Sequence, residues 1–122
     1  MRLWHQALIK NLPDKQLLGQ HRELCGLRGK GLGRKHSTVD YVFKYSIYRL
    51  FIFHLLVIAE MQNRGFKIDK KWLDCNYRGK ILGIDKNIKK KIIKNKLIYK
   101  EHNLNYLQEC LQNLQKKGVK IK

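Results

Sequence analysis

A single carboxylate stands among polar and basic residues near the start of the chain. Glu23 lies in the run from Gln20 to Leu24, in a protein whose 27 Lys and Arg outnumber its 9 Asp and Glu and give a net charge of +18. A cationic face that binds a polyanion keeps an acid at an electrostatic cost, and chemistry at the bound partner is one reason to keep it. Glu23 is therefore a candidate general acid or base.

A purely structural interpretation of Glu23 remains open at this point. The residue could be an exposed helix carboxylate paired with Lys15, Arg22 or Lys30, which stabilises a helix by only about 0.5 kcal/mol or less. The two interpretations predict different surroundings. A catalytic acid must lie beside a reactive group, whereas a surface pair needs only water and a cation.

Length and charge limit the kinds of protein that this chain can be. At 122 residues it fits one domain, and 43% hydrophobic residues suffice for a packed core. A pI near 10.1 favours DNA, RNA or an anionic membrane surface as the partner. The most apolar run, from Leu50 to Ala59, is too short for the ~20 residues that cross a bilayer. The N-terminus lacks the pattern of a secretion signal.

Cysteine usage favours a reducing compartment. Cys25, Cys75 and Cys110 form no Cys-x-x-Cys pair, and an odd number of unpaired thiols is typical of a cytosolic protein. His21 and Cys25 are one helical turn apart, but no second ligand pair at zinc spacing accompanies them. We therefore expect no metal site and no cofactor.

The first helix is expected to begin at Pro13-Asp14, where proline is tolerated and Asp14 can cap free N–H groups. A stripe at steps of three and four residues can be buried: Leu17, Leu18, His21, Leu24, Cys25 and Arg28. The polar residues Gln16, Gln20, Glu23 and Lys30 are expected to point the other way. Gly19 and Gly26 lie beside this polar face, so we expect a close approach there, since glycine weakens a helix.

Two further long helices follow from apolar periodicity and glycine stop signals. Residues 47–64 form a central helix that stops at Gly65, and residues 103–117 form a last helix that stops at Gly118. His54 in the central helix is expected to be buried and hydrogen-bonded. Residues 37–45 suggest a short helical segment, with Ser37 as its cap.

A lysine-rich helix is expected after Asp85, with Ile84, Ile88 and Ile92 as a narrow apolar stripe. No segment alternates with a period of two. We therefore predict an all-α fold: one domain, residues 1–122, of three main helices with short helical segments and irregular basic loops. Residues 84–122 would form its lysine-rich C-terminal helical extension.

Two loops carry cations suited to phosphate contacts. The first, after Gly29, is rich in glycine and contains Lys30, Arg34, Lys35 and His36. The second interleaves aromatic and basic residues around a glycine in Tyr77-Arg78-Gly79-Lys80. The alternative for Tyr77 is ordinary packing of its ring on the core.

Three stretches together resemble a known family. They are Arg22-Glu23-Leu24, the run Ala59-Glu60-Met61-Gln62-Asn63-Arg64-Gly65-Phe66, and Tyr77-Arg78-Gly79. In order and approximate spacing they are similar to the pyrimidine-dimer DNA glycosylases, the small phage-type endonuclease V enzymes, over residues 1 to 80.

The resemblance implies a helical DNA repair enzyme with AP-lyase activity. The amine of the first residue, here Met1, would attack C1′ of a damaged nucleotide and form a Schiff base, and Glu23 would assist the following β-elimination. Implied partners are damaged or abasic double-stranded DNA and no membrane, for a cytoplasmic, nucleoid-associated monomer. The expected DNA-binding residues are Arg2, His21, Arg22, Lys30, Arg34, Lys35, His36, Tyr77, Arg78 and Lys80.

The chain departs from the family pattern at several positions. Phage-type members expose a threonine after loss of methionine, whereas bulky Arg2 here favours retention of Met1. Gln16 replaces a family histidine, and Gly26 replaces an arginine for which Arg28 is the candidate substitute. The C-terminal aromatic cluster is replaced by residues 118–122.

Two other functions remain open from the sequence. A basic module could bind DNA or RNA through the same cations without any covalent step. Adsorption to anionic lipid through the lysine-rich helix is less favoured, because its three isoleucines make a narrow apolar face.

Overall fold

The computed structural model describes residues 2–29, 39–90, 93 and 96–121. Within them the chain forms four α-helices, α1 to α4, at Asp14–Arg28, Ile47–Asn63, Gly79–Leu82 and Leu104–Lys116. Three short 3-10 segments accompany them at Gln6–Asn11, Asp40–Lys44 and Lys70–Leu73. Extended pairing in the described residues is limited to an isolated antiparallel bridge between Tyr77 and Ile84. The predicted all-α fold is confirmed.

Helix α1 begins and ends close to its expected limits. Pro13 is its N-cap and provides no side-chain cap, and Gly29 is its C-cap. A Cβ at Gly29 would lie 3.0 Å from the Arg78 carbonyl oxygen, so glycine is needed where the later loop closes on this end. Leu17, Leu24 and Leu27 form the apolar part of its buried face. The predicted stripe is confirmed in part: Leu17, Leu24 and Arg28 are buried, whereas Leu18, His21 and Cys25 are half-buried.

Helix α2 is the apolar centre of the fold, as predicted. Leu50, Phe53 and Val57 are at most 2% exposed, and α2 packs against both α1 and the first 3-10 segment. The helix ends before Gly65, whose φ of +88° is a left-handed conformation that side chains rarely adopt. Burial of this apolar surface is the main force that orients α1.

Arg64 fastens the end of α2 to the start of α1. Its Nε donates to Glu60 Oε2 over 2.8 Å. Its Nη1 donates to the Leu12 carbonyl over 2.7 Å and to Asp14 Oδ1 over 2.9 Å, and its Nη2 donates to the Lys10 carbonyl. The Glu60 and Arg64 pair within the family-like run is therefore structural. Asp14, at the start of α1, is the second acid that Arg64 binds.

The N-terminal segment, residues 2–13, is part of the core. Leu3, Trp4, Ile9 and Leu12 are all at most 6% exposed and belong to the same hydrophobic cluster as α2. Burying such side chains stabilises the fold by roughly 1.5 to 3 kcal/mol each. The beginning of the chain is therefore fixed against the domain along this segment.

Residues near α4 close over the N-terminal segment. His102 is fully buried, and its Nδ1 accepts the Gln6 backbone N–H over 3.3 Å. The ring is neutral because burial lowers the pKa of His102 to about 3. Its Nε2–H therefore donates to the Tyr41 oxygen over 2.6 Å. The Tyr106 hydroxyl donates to the Leu3 carbonyl. The N-terminal segment is therefore held by α4 as well as by its packing against α2.

The predicted lysine-rich helix is wrong over its described part. Residues 85–90 are not helical, and Asp85 does not cap a helix. Its Oδ1 accepts the Asn87 backbone N–H over 2.9 Å, which closes a turn. Its Oδ2 pairs with Arg78 Nη1 at 3.2 Å. Local side-chain bonding of aspartate thus competes with helix formation, and the many lysines nearby repel one another along a helix.

Other expectations vary in outcome. Asn103 caps α4 by accepting the Tyr106 backbone N–H, and α4 ends before Gly118, as expected. The short helical segment is a 3-10 turn at Asp40–Lys44, and Ser37 lies outside the described residues.

All three cysteines are free thiols. In the part of the chain that the structure describes, no helix combines the length and apolar character needed to cross a membrane.

Candidate functional site

Gln20 joins the N-terminal segment to Glu23. Its side chain is 1% exposed. Its Oε1 accepts the Trp4 backbone N–H over 2.7 Å, and its Nε2 donates to the Arg2 carbonyl over 3.1 Å and to Glu23 Oε2 over 3.2 Å. The prediction that Gln20 points away from the buried stripe of α1 is wrong. The residue falls on the same stripe as Leu17 and Leu24, at three and four residue steps, and that spacing was the available signal.

The shared amide brings Glu23 close to the start of the chain. Two acceptors that bond to the same nitrogen lie about 6 Å apart at most. The Arg2 backbone is therefore a near neighbour of the Glu23 carboxylate, although 21 residues of sequence separate them. This proximity is the central geometric feature of the candidate site.

Glu23 is half-buried, and its surroundings pull its pKa in opposite directions. Burial raises the pKa of the Glu23 carboxyl above its usual value, whereas the positive charges of Lys117 and Arg22 act to lower it. Burial is the stronger influence. A carboxyl with a raised pKa beside cations is suited to accept and return a proton near neutral pH.

The α1 surface around Glu23 is open. Gly19 and Gly26 lie on its face of the helix, four residues before and three residues after it. A Cβ at Gly19 would lie 4.0 Å from Arg22 Nη2, and a Cβ at Gly26 would meet nothing within 4 Å in the described chain. The expected close approach is therefore not made by the described protein. The glycines leave this face of α1 accessible from outside.

Two arginines close to Glu23, Arg22 in sequence and Arg2 through its backbone carbonyl, differ in exposure. Arg22 is exposed on α1. The Arg2 side chain is 15% exposed and pairs through Nη1 with Glu109 Oε2 at 3.4 Å, with its guanidinium 5.9 Å from the centre of the Tyr106 ring. Arg22 therefore presents its charge to solvent beside the site, and Arg2 is drawn toward α4.

His21, Cys25 and His54 bring three metal-ligating side chains together, with ligand atoms within 4.8 Å of one another. His21 Nδ1 lies 2.8 Å from His54 Nε2. Arg28 Nη1, which can only donate, lies 2.9 Å from His54 Nδ1. His54 Nδ1 must therefore accept, and the proton of the neutral ring sits on Nε2, facing His21. A cation would have to displace that proton beside a buried guanidinium, so this group is better described as a hydrogen-bond chain.

The three side chains of this group are uncharged at neutral pH. Burial lowers the pKa of His54 to about 2 and raises the pKa of Cys25 to about 11. Burial also lowers the pKa of His21, and the charges of Arg22 and Arg28 act in the same direction. The expectation that His54 is buried and hydrogen-bonded is confirmed. A role of His21 in DNA binding stays a prediction, in which the ring would act without a positive charge.

Arg28 is a buried cross-link between α1 and the later loop. It is 1% exposed, and besides His54 it donates to the carbonyls of Trp72 and Asp74, each over 2.9 Å, and of Tyr77 over 3.1 Å. Burial lowers the pKa of Arg28 to about 10, which leaves the group charged at neutral pH. The expectation that Arg28 substitutes for the arginine missing from the family pattern is wrong, since its donors are engaged inside the protein.

Replacing Arg28 with methionine should destabilise the protein strongly. The change leaves the Trp72 and Tyr77 carbonyls and His54 Nδ1 without their Arg28 donor, whereas the Asp74 carbonyl keeps the Tyr77 N–H. We expect the free energy of unfolding to fall by about 3 to 4 kcal/mol. Urea denaturation followed by circular dichroism measures the loss. Arg22→Met, the same change at an exposed position of α1, is the control and should cost about 0.5 kcal/mol or less. Equal losses in the two variants would show that Arg28 is not a structural cross-link.

Tyr77 and Lys80 are placed very differently. Tyr77 is 7% exposed, and its ring packs edge-on to Trp72 with centroids 4.8 Å apart. Lys80 in α3 is exposed. The structure thus favours the packing alternative for Tyr77, and Lys80 is the freer of the two predicted contacts.

Arg78 is engaged mainly within the protein. Its Nε donates to the Arg28 carbonyl over 2.9 Å, its Nη1 pairs with Asp85, and its side chain is 14% exposed. These contacts hold the loop against the C-terminal end of α1. Five further predicted site residues lie outside the described residues: Met1, Lys30, Arg34, Lys35 and His36.

Comparison with known proteins identifies the family of the chain. A family model described as pyrimidine dimer DNA glycosylase matches residues 1–74, which include the N-terminal segment, α1 with Glu23, and α2. No curated protein and no solved structure matches the chain. The family match spans more than half of the 122 residues and implies a DNA glycosylase with DNA as its substrate. The chain belongs to the pyrimidine dimer DNA glycosylase family.

Proposed function

We propose that this protein is a DNA glycosylase with AP-lyase activity, in which the α-amine of Met1 attacks C1′ of a damaged nucleotide. The bond from C1′ to the base breaks, the base leaves with a proton, and opening of the C1′–O4′ bond gives a Schiff base between C1′ and the amine. Loss of a proton from C2′ then expels the 3′ phosphate as the C3′–O3′ bond breaks. Hydrolysis of the Schiff base restores the amine.

The observation that supports this proposal best is the hydrogen bonding of Gln20 to both Arg2 and Glu23. Met1 lies outside the described residues. Its covalent bond to Arg2 limits how far its amine can be from the Arg2 backbone. Consecutive Cα atoms are about 3.8 Å apart, a step comparable with the short distance between the Arg2 carbonyl and Glu23. We propose that this single step along the chain lets the amine of Met1 act beside the carboxylate.

An α-amine is the best available nitrogen nucleophile in a chain with many lysines. With a pKa near 7.7 to 8.0, roughly 15% of an α-amine is unprotonated at pH 7, against less than about 0.1% of a lysine near 10.4. Positive neighbours lower an amine's pKa further. The large excess of lysine and arginine in the chain thus favours the nucleophilic form of the first residue.

Glu23 supplies the acid and base chemistry in the proposed reaction. Its raised pKa suits the transfer of protons at the sugar, first during ring opening and then at C2′. In its ionised form the carboxylate stabilises the positive charge that develops at C1′ and on the Schiff-base nitrogen. One residue can serve both steps because the proton that it accepts in one can be returned in the other.

Charge provides the affinity for DNA. A net charge of +18 attracts the phosphate backbone, and binding should weaken steeply as salt is added. Exposed Arg22 lies beside Glu23, and the open face at Gly19 and Gly26 lets a sugar-phosphate backbone approach. Exposed Lys80 is a second contact. Extrusion of the target nucleotide costs less where pairing is already damaged.

The proposed substrate is double-stranded DNA with a pyrimidine dimer or an abasic site. The family match supports the dimer as the lesion, and the Schiff-base chemistry extends naturally to an abasic sugar, whose C1′ is already free of a base. We propose that the protein acts as a monomer in the cytoplasm, in association with the nucleoid.

Borohydride trapping tests the proposal. Untagged protein is incubated with a duplex that carries one abasic site, in the presence of EDTA, and sodium borohydride is added. We expect a covalent adduct that peptide mass spectrometry maps to the first residue, since borohydride reduces the Schiff base to a stable amine. A duplex with one cyclobutane dimer should give the same adduct, and undamaged DNA should give none.

Each other result has a definite meaning. An adduct at a lysine would reject the α-amine as nucleophile. Salt-sensitive binding without any adduct on either duplex would reject the enzyme and support the non-enzymatic nucleic-acid module. Trapping on the abasic duplex alone would reject the dimer as the lesion.

A further inference from the structure

The orientation of the Gln20 amide is fixed by its partners. Glutamine offers one acceptor oxygen and an NH₂ group with two donors. The Trp4 backbone N–H can only donate, so the oxygen must face Trp4. The NH₂ group then faces the Arg2 carbonyl and Glu23 Oε2. The opposite orientation would pair donor with donor and acceptor with acceptor, so the direction of these bonds follows from the chemistry.

A fixed donor acts on the ionisation of its acceptor. The NH₂ group of Gln20 is held beside Glu23, because the residue is 1% exposed and its other two hydrogen bonds fix the amide in place. A hydrogen bond to a carboxylate stabilises its charged form. The same amide also ties the Arg2 backbone, so it sets the spacing between the start of the chain and the carboxylate.

We propose that Gln20 is a positioning residue for the reaction: its amide keeps the Glu23 carboxylate ionised and aimed at the nucleotide bound beside the N-terminal amine. This inference rests on the proposed function for its effect on catalysis. It goes further in assigning part of the control over Glu23, beside burial and the nearby cations, to a neutral side chain one turn away on α1. Gln20 itself is 1% exposed, so it would act through Glu23 and not on the DNA.

Gln20→Met provides the direct test, because methionine has a similar length and no donor. We expect the acidic limb of the pH–rate profile for borohydride trapping to move to higher pH by about one unit, since Glu23 loses a donor to its charged form. The trapping rate at the acidic end should fall about tenfold as a result. Gln20→Glu, which replaces the donor with a second carboxylate, should move the limb further in the same direction.

Gln62→Met is the matched control, the same change at an exposed position of α2. It should leave the profile where it is in the native protein. If Gln20→Met lowers the trapping rate equally at every pH, Gln20 has only a structural role. That result would overturn the proposal. Binding to undamaged duplex should be unchanged in all three variants, because none alters an exposed cation.

A second measurement needs no variant of Gln20 to fold. In the native protein the NMR signals of the Gln20 side-chain NH₂ should shift with pH as Glu23 titrates, and Glu23→Gln should remove that shift. NH₂ signals that ignore the ionisation of Glu23 would contradict the proposed hydrogen bond. This readout does not depend on activity. A failure of trapping in the native protein would reject the proposed function, and the NMR result would still decide the role of Gln20.

Discussion

Glu23→Gln should lower the rate of strand cleavage at an abasic site by about a hundredfold or more, which is typical of losing a general acid or base. The glutamine amide can neither take up nor return a proton at the sugar, and it brings no negative charge to the developing iminium. Affinity for the duplex and its dependence on salt should be almost unchanged, because the cations proposed to bind phosphate remain. Single-turnover cleavage on a sequencing gel measures the rate, and fluorescence anisotropy measures the affinity.

Glu101→Gln is the matched control for this experiment. It removes the same charge at a distant position, and its amide oxygen can still accept the Tyr45 hydroxyl, which bonds to Glu101 over 2.8 Å in the native protein. Cleavage should stay at the native rate in this variant. If Glu23→Gln also cleaves at the native rate, the catalytic assignment of Glu23 is wrong, and the carboxylate is an ordinary helix residue.

Extending the chain by two residues before Met1 should abolish both trapping and strand cleavage. The extension turns the amine of Met1 into an amide, which has no nucleophilic lone pair, and it moves the new α-amine away from the Glu23 carboxylate. Lysines are unaffected by this change, and they are almost fully protonated at neutral pH. The expected loss is at least a hundredfold in the single-turnover trapping rate.

The same two residues added after Lys122 provide the control for mass and handling. That variant should trap and cleave like the native protein. Duplex binding should survive in both, because the exposed cations are the same. Undiminished trapping with the N-terminal extension would transfer the nucleophilic role to a lysine and would reject the proposed use of the first residue.

Much of the helical framework follows from local sequence signals. The apolar steps from Leu17 to Leu24, the long apolar run of α2 and the Asn103 cap each act within a few residues of their own position. Gly65 and Gly118 both adopt positive φ angles where the sequence predicts that helices end. Signals of this kind can be recognised without knowing what the helix packs against.

Contacts between distant residues account for what the sequence did not show. Gln20 was assigned to the polar face because of its side-chain type, although its spacing on α1 placed it with the buried leucines. Its partners Arg2 and Trp4 lie 18 and 16 residues away. Arg28 is buried only because three carbonyls of the later loop converge on it. A buried polar residue is stable when such partners exist, and one sequence does not list them.

In the lysine-rich stretch a local pattern predicted a helix that does not form over residues 85–90. Its isoleucine spacing favoured a helix, but Asp85 bonds to its own following turn and to Arg78, so the backbone takes another course. Arg78 and Tyr77, read from their types as DNA contacts, are largely occupied in holding that loop. Residue type alone could not distinguish a cation that binds phosphate from one that binds a carbonyl.

The N-terminal segment packs against α2 and is also hydrogen-bonded to residues in and near α4. The folded domain therefore extends beyond the region that the family model matches. The family model matches residues 1–74. His102 and Tyr106 lie beyond that range, yet they hydrogen-bond to the backbone of Gln6 and Leu3. A fragment cut after residue 74 would keep the whole matched region but would lose Tyr77-Arg78-Gly79 and the hydrogen bonds of His102 and Tyr106 with the N-terminal segment. His102 and Tyr106 therefore help to hold the N-terminal segment in place, although both lie beyond the part of the chain that the family model matches.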